Sequence, residues 1–223
     1  MERIGDCELY LGDCRDVLPA LSFDSVVTDP PYGIGETSKK ASTRGQLAKP
    51  RDYGEHDWDM VRPDDIVLNL LSSRYQVIFG GNYFALPPTS CWLIWDKLNT
   101  GDFADCEMAW TNLSKAIRRI QWRWNGMIRQ GKDTERFHPT QKPIEVMEWC
   151  ISHLPADHGV ICDPFMGSGT TGVACAKAGK RFIGIERDAR YFDIACERIE
   201  KAYMQDDMFI SSVTDVEQES LWI

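Results

Sequence analysis

"GVICDPFMGSGTTGVACAKAG", residues 159–179, changes character twice within one short stretch. Its start is apolar, as a buried strand should be. Its middle is glycine-rich. Its end, "GTTGVACAKAG", has small and apolar residues and is closed by Gly179, as a helix commonly is. Strand, tight glycine turn, helix is the building unit of a parallel α/β sheet. Gly167 and Gly169 can take positive φ and let a ligand approach the backbone. The helix start behind them offers free N–H groups and a positive dipole end.

The rest of the chain repeats the alternation. "CELYLGD", "FDSVVTD", "YQVIFGG", "CWLIWDK", "CEMAWTN", "IRRIQWRW" and "RFIGIE" read as strands. "CRDVLPAL", "RPDDIVLNLLSS" from Pro63, "KPIEVMEWCISHL" from Pro143 and "DARYFDIACERIEKAY" read as helices. The pattern predicts an α/β domain with a doubly wound, mostly parallel sheet. Residues 33–62 show no period and predict a long loop, a feature that in compact domains is usually functional or disordered.

At 223 residues, 43% hydrophobic and 26% charged, the composition is that of one globular domain spanning 1–223. No apolar run approaches the ~20 residues of a membrane span, and the N-terminus lacks an apolar signal core. Eight cysteines include no C-x-x-C pair, and the four histidines lack zinc spacing. Buried thiols in a reducing cytoplasm and no metal are expected. The net charge of −9 argues against a polyanionic partner. Its distribution argues otherwise. Thr37–Arg51 carries Lys39, Lys40, Arg44, Lys49 and Arg51 with no acid, and Lys115–Arg129 carries five cations with no acid. The tail after Tyr203 is acidic. Such a dipolar molecule can steer a polyanion to one face.

The ligand of the glycine turn is constrained by charge. Gly167-x-Gly169-x-x-Gly172 matches the dinucleotide fingerprint, with Glu186 ending the next strand where a ribose-binding acid belongs. A nicotinamide-dependent dehydrogenase therefore stays open on this pattern alone. No Gly-Lys-Ser/Thr follows, so it is not a P-loop. Asp163 directly before the glycines would repel a pyrophosphate and suits a cationic ligand. S-adenosylmethionine, with its sulfonium, ammonium and ribose diol, has the matching chemistry.

A second strand end, "TDPPYG" at Thr28–Gly33, pairs a carboxylate with two prolines and an aromatic ring. Together with "HPTQKP" at His138–Pro143 and "DPFMGSGTTG" at Asp163–Gly172, it resembles the amino-group (N6-adenine/N4-cytosine) DNA methyltransferases of the β arrangement, where the catalytic motif precedes the cofactor motif. "VIFGGNY" and "FADCEMAWTN" are similar to sheet strands of small phage-type members. The resemblance runs from "LYLGD" to "GIERDARYFDIACERI". It implies an S-adenosylmethionine-dependent fold with one antiparallel edge strand and double-stranded DNA as substrate. It assigns Asp163, Phe165, Gly167, Ser168, Gly169 and Thr170 to the cofactor loop, Glu186 to the ribose, His138, Thr140 and Lys142 to the methionine end, and Asp13 to the adenine side. Asp29, Pro30, Pro31 and Tyr32 match the catalytic motif.

An exocyclic amine is a poor nucleophile because its lone pair is delocalised. Asp29's carboxylate and the Pro30 carbonyl, aimed at its hydrogens, would free that lone pair. The prolines fix φ and hold the acceptors in line. Tyr32 would stack the flipped base, worth about 1–3 kcal/mol. By the resemblance, aspartate at the first motif position implies adenine N6 rather than cytosine N4. Lys39, Lys40, Arg44, Arg118, Arg119, Arg123 and Arg129 are expected on DNA phosphate. Asn112–Phe137 is the candidate target-recognition segment, short enough to predict a target of about four bases or fewer per protomer. A non-catalytic nucleic-acid-binding module is the rival of another class, RNA a rival substrate, and monomer or homodimer both remain open.

Overall fold

The structure, a computed structural model, describes residues 1–34, 62–70, 72–99, 104–124, 129–131, 135, 137–138 and 140–214. Most of the loop read at 33–62 lies outside them, with Lys39, Lys40 and Arg44. In chain order the elements are β1 (Glu2–Ile4), β2 (Cys7–Leu11), α1 (Cys14–Val17), β3 (Ser25–Thr28), α2 (Asp64–Leu70), β4 (Tyr75–Phe79), β5 (Trp92–Asp96), β6 (Cys106–Thr111), β7 (Arg118–Gln121), α3 (Ile144–Ser152), β8 (Ile161–Asp163), α4 (Thr170–Lys177), β9 (Phe182–Glu186) and α5 (Ala189–Thr214).

The strands form one sheet in the order β1-β2-β9-β8-β3-β4-β6-β5-β7. β2, β9, β8, β3 and β4 are mutually parallel. The expected antiparallel edge strand has a counterpart in β1, which forms a hairpin with β2. A second antiparallel strand, β6, lies inside the sheet between β4 and β5. β7 closes the other edge, parallel to β5.

Consecutive residues of the central strands serve opposite faces, which explains their unbroken apolar runs. Val27, Val77, Phe79, Ile161 and Phe182 pack with Val146, Cys150, Val173, Ala195 and Ile199 of α3, α4 and α5. Val26 and Ile185 pack on the other face with Cys14 of α1 and Ile66 and Leu70 of α2. Helices on both faces make the sheet doubly wound. From β3 the chain passes through α2 to β4 on one side. From β8 it passes through α4 to β9 on the other side. The carboxyl ends of β3 and β8 therefore flank the switch point where open α/β sheets bind ligands.

Six cysteines are buried, Cys196 is partly exposed and Cys106 exposed. Among the described residues no helix is long and apolar enough to cross a membrane.

Candidate active site at the carboxyl ends of β3 and β8

A cavity of about 590 Å³ opens at this switch point, inside the range of small-molecule and cofactor sites. Of the residues proposed from the sequence, Asp13, Asp29, Pro31, His138, Thr140, Lys142, Asp163, Phe165, Gly167, Ser168, Thr170 and Glu186 line it. Three proposed residues, Pro30, Tyr32 and Gly169, stand outside its wall. Met166, Asp188 and Tyr191, not foreseen, also line it.

The glycine loop is held from both sides. Glu186, at the end of β9, accepts hydrogen bonds from Gly167 N (2.9 Å) and Asp188 N (2.8 Å). Burial raises its carboxyl above the usual range, and these backbone donors pull it back. Gly169 caps α4 at φ +80°, and a Cβ there would stand 2.8 Å from the Ala195 Cβ of α5. Arg198, buried on α5, donates to the Ser168 carbonyl, to Ser168 Oγ at 3.1 Å and to Thr170 Oγ1 at 3.3 Å. Gln141 accepts from Phe137 N (2.8 Å) and Ser168 Oγ (3.4 Å), joining the "HPTQKP" segment to the loop. His138 lies edge-on to the Tyr191 ring at 4.4 Å. Asp13 caps α1 through Arg15 N at 2.9 Å.

Asp163 turns inward. Its Oδ1 accepts from Thr28 Oγ1 (2.7 Å) and Phe165 N (3.1 Å), its Oδ2 from Thr171 Oγ1 (2.6 Å). It thereby ties β3, β8 and α4 together at the floor of the cavity.

The carboxylate of Asp29 is engaged on both oxygens. Tyr32 donates its hydroxyl to Oδ1 and Lys142 its ammonium to Oδ2. Lys142, assigned from sequence to the methionine end of the cofactor, thus has its ammonium between Asp29 and Glu107, which it meets at 3.0 Å. Tyr32 is also less open than expected. Tyr83 stacks on it with centroids 4.9 Å apart and 15° between planes. Gly80 makes room for that ring, since a Cβ there would lie 2.1 Å from Tyr32. Glu107, Lys97 and Tyr83 were not singled out from the sequence. The one signal was Glu107 itself, an acid inside the otherwise uncharged strand "CEMAWT".

The arginines lie toward the β7 edge of the sheet. Arg118 and Arg119 are exposed on β7, and Arg119 pairs with Asp96 at 3.6 Å. Arg123 and Arg129 follow its carboxyl end, with the Arg129 guanidinium 5.7 Å from the Trp124 ring centroid.

A family model described as DNA methylase, of the N6/N4 type, matches residues 90–197. The Type II methyltransferase M.HinfI of Haemophilus influenzae is 32% identical over 200 residues, covering 86% of this chain and 50% of the relative. The Type II methyltransferase M2.DpnII of Streptococcus pneumoniae is 42% identical over 80 residues, covering 34% of this chain and 29% of the relative. The chain spans half or less of the length of these curated relatives. Among solved structures, PvuII DNA methyltransferase (cytosine-N4-specific) matches at a TM-score of 0.55 and 14% identity, covering 91% of this chain and 93% of that one. That likeness bears on the fold alone, and it is the α/β methyltransferase fold. By family model over residues 90–197, and by sequence relatives of which it spans half or less, the chain is similar to the amino-group (N6-adenine and N4-cytosine) DNA methylases.

Proposed function

We propose that this chain transfers a methyl group from S-adenosylmethionine to adenine N6 in double-stranded DNA, acting as one domain over residues 1–223. One observation carries the reading. A rigid Asp29-Pro30-Pro31-Tyr32 turn and a glycine loop backed by Glu186 reach the same switch point, with Asp29 in the cavity wall. The donor set fits the cofactor. Glu186 and Asp13 are carboxylates lining a cavity with room for a nucleoside, and Gly167 carries no side chain to fill it, its nearest non-neighbouring atom to a Cβ being 3.9 Å away. Bound there, S-adenosylmethionine supplies the methyl group as a carbon carrying a sulfonium leaving group.

The chain's own residues do the positioning. Asp29 and the Pro30 carbonyl accept the amine's hydrogens and direct its lone pair. Tyr32 supports the flipped base. Held by these acceptors, the nitrogen would take up the methyl group and release a proton to solvent. Most of the rate comes from alignment. Aspartate at the head of the motif supports adenine over cytosine N4. Asn112–Phe137 supports a short or relaxed target, and the buried thiols suit a reducing cytoplasm.

Asp29→Ala tests the reading. Methyl transfer to unmethylated duplex DNA should fall about a hundredfold or more, with S-adenosylmethionine affinity unchanged. Lys142 keeps Glu107 as a partner, so the variant should fold. Near-normal turnover by the folded variant would overturn the mechanism. Nucleoside digestion of the wild-type product separates N6-methyladenine from N4-methylcytosine.

A further inference from the structure

As the site stands, each oxygen of Asp29 already accepts one resident donor. Those donors are Tyr32 and Lys142. The chemistry proposed above needs that carboxylate to accept hydrogens from an incoming amine as well, and the ammonium bound to the same group draws on the charge it can offer. The Lys142 side chain is 7% exposed and cannot swing into water. A buried ammonium that leaves one carboxylate needs another. Glu107 Oε2 stands ready at 3.0 Å. Glu107 is paired in turn with Lys97, whose ammonium also lies 4.9 Å from the Trp95 ring centroid. Asp29, Lys142, Glu107 and Lys97 thus alternate in sign and sum to zero.

The placement follows from the topology. Asp29 trails β3 and Lys97 trails β5, both at the carboxyl rim of the sheet. Glu107 reaches the same rim from the opposite direction, because β6 is antiparallel and its amino end lies there, with Glu107 opposite Trp95. Lys142 enters between them, directly before α3.

We infer that Glu107 is a positioning residue for methyl transfer, the berth that draws Lys142 part-way off Asp29 and leaves that carboxylate more charge for the target amine. This rests on the reading that Asp29 accepts the target amine. Glu107 touches neither base nor cofactor in this scheme. It acts by dividing the charge of Lys142, and so sets how firmly Lys142 grips Asp29. Removing Glu107 leaves Lys142 with a single carboxylate partner and tightens that grip. Removing Lys97 does the reverse, since Glu107 then has its whole charge to offer Lys142.

Among the described residues, the groups that act on Asp29 come from three directions. Lys142 and Glu107 face it from the "HPTQKP" segment and β6, Tyr32 from its own turn. Asp163 of β8 lies close enough to feel its charge. Burial raises the Asp29 carboxyl, Lys142 lowers it, Glu107 raises it, and the Tyr32 hydroxyl lowers it. Loss of Glu107 should therefore make Asp29 harder to protonate. Loss of Lys97 should make it easier.

The experiment is the rate of transfer from methyl-labelled S-adenosylmethionine to unmethylated duplex DNA, at saturating concentrations of both, between about pH 5 and pH 9. For Glu107→Gln the plateau should fall about tenfold or more while the acid limb moves to lower pH, and S-adenosylmethionine affinity should hold. For Lys97→Met the acid limb should move to higher pH. A merely structural role lowers the plateau and leaves the limb in place. Opposite movements of the limb support the berth. An unmoved limb in either folded variant, movement of both in one direction, or a wild-type plateau in Glu107→Gln overturns it. Should Glu107→Gln fail to fold, the direction of the Lys97→Met limb decides. A wild-type protein that methylates no DNA would instead sink the underlying reading, and the berth with it, before any variant is compared.

Discussion

Asp163 is 2% exposed and accepts hydrogen bonds from Thr28, Phe165 and Thr171. Burial nevertheless raises its carboxyl to about 6. An unfolded aspartate titrates near about 3.9. A carboxyl that holds its proton more tightly when folded adds stability that is complete below the unfolded value and is lost as pH rises through the folded one. Two units correspond to about 3 kcal/mol. Asp163→Asn carries no charge and escapes that loss. In urea titrations its stability relative to wild type should improve by up to about 3 kcal/mol between pH 4 and pH 8. An equal difference at both pH values would show that Asp163 titrates as in the unfolded chain. The position of this carboxylate at a strand end was legible from "VICDPF". Its direction was not, because Thr28 is 135 residues away on another strand. The same holds for Lys142. The motif marks it as a site residue, but its partner Glu107 comes from a strand recognised only as part of the sheet, with no role attached to its acid.

At the scale of elements, α4 and α5 meet at Gly169, which combines φ +80° with a Cβ position 2.9 Å from the Ala195 Cα. Gly169→Ala should lose about 2 kcal/mol or more, from strain and overpacking together, and should weaken S-adenosylmethionine binding because the loop moves with the helix start. Unchanged midpoints in urea would show that α5 yields without cost. Each strand and helix read from the sequence is present, because apolar runs, prolines at helix starts and glycines at helix ends are local signals. Three features were not read. The hairpin of β1 with β2 turns on Gly5-Asp6, a dipeptide that does signal such a turn, and Tyr203 of α5 anchors it by accepting from Asp6 N at 3.0 Å. α5 runs on to Thr214, into the acidic tail, where charge obscured the helical period. β6 was read as a strand, but not its place or direction, since an apolar run has no polarity of its own.

Over the whole molecule, the net charge of −9 must be overcome locally if the proposed DNA substrate is to approach. The four arginines of the β7 region are not equivalent. β7 runs parallel to β5, so Arg123 and Arg129, beyond its end, stand at the rim that holds Asp29. Arg118 lies opposite Leu93, at the far end of the strand, about 10 Å back from Gln121 at the usual rise. Replacing Arg123 and Arg129 by alanine should reduce the salt slope of DNA binding by roughly 2, at about 0.9 per lost phosphate contact. Arg118→Ala should leave it unchanged. A slope equally sensitive to Arg118 would place the DNA across the edge of the sheet instead. The reversed direction of β6 has one more consequence. Glu107 is delivered to the rim by a hairpin from β5, and that hairpin is fastened at its stem by Lys97 N on the Asp105 carbonyl at 2.9 Å. Ladders to β4 and β5 hold the strand behind it. Sequence inserted beyond that stem should reach the rim that holds Asp29 while the ladder bonds keep the strand in place. For an engineer it is an insertion port, where a foreign recognition module can be grafted beside the chemistry.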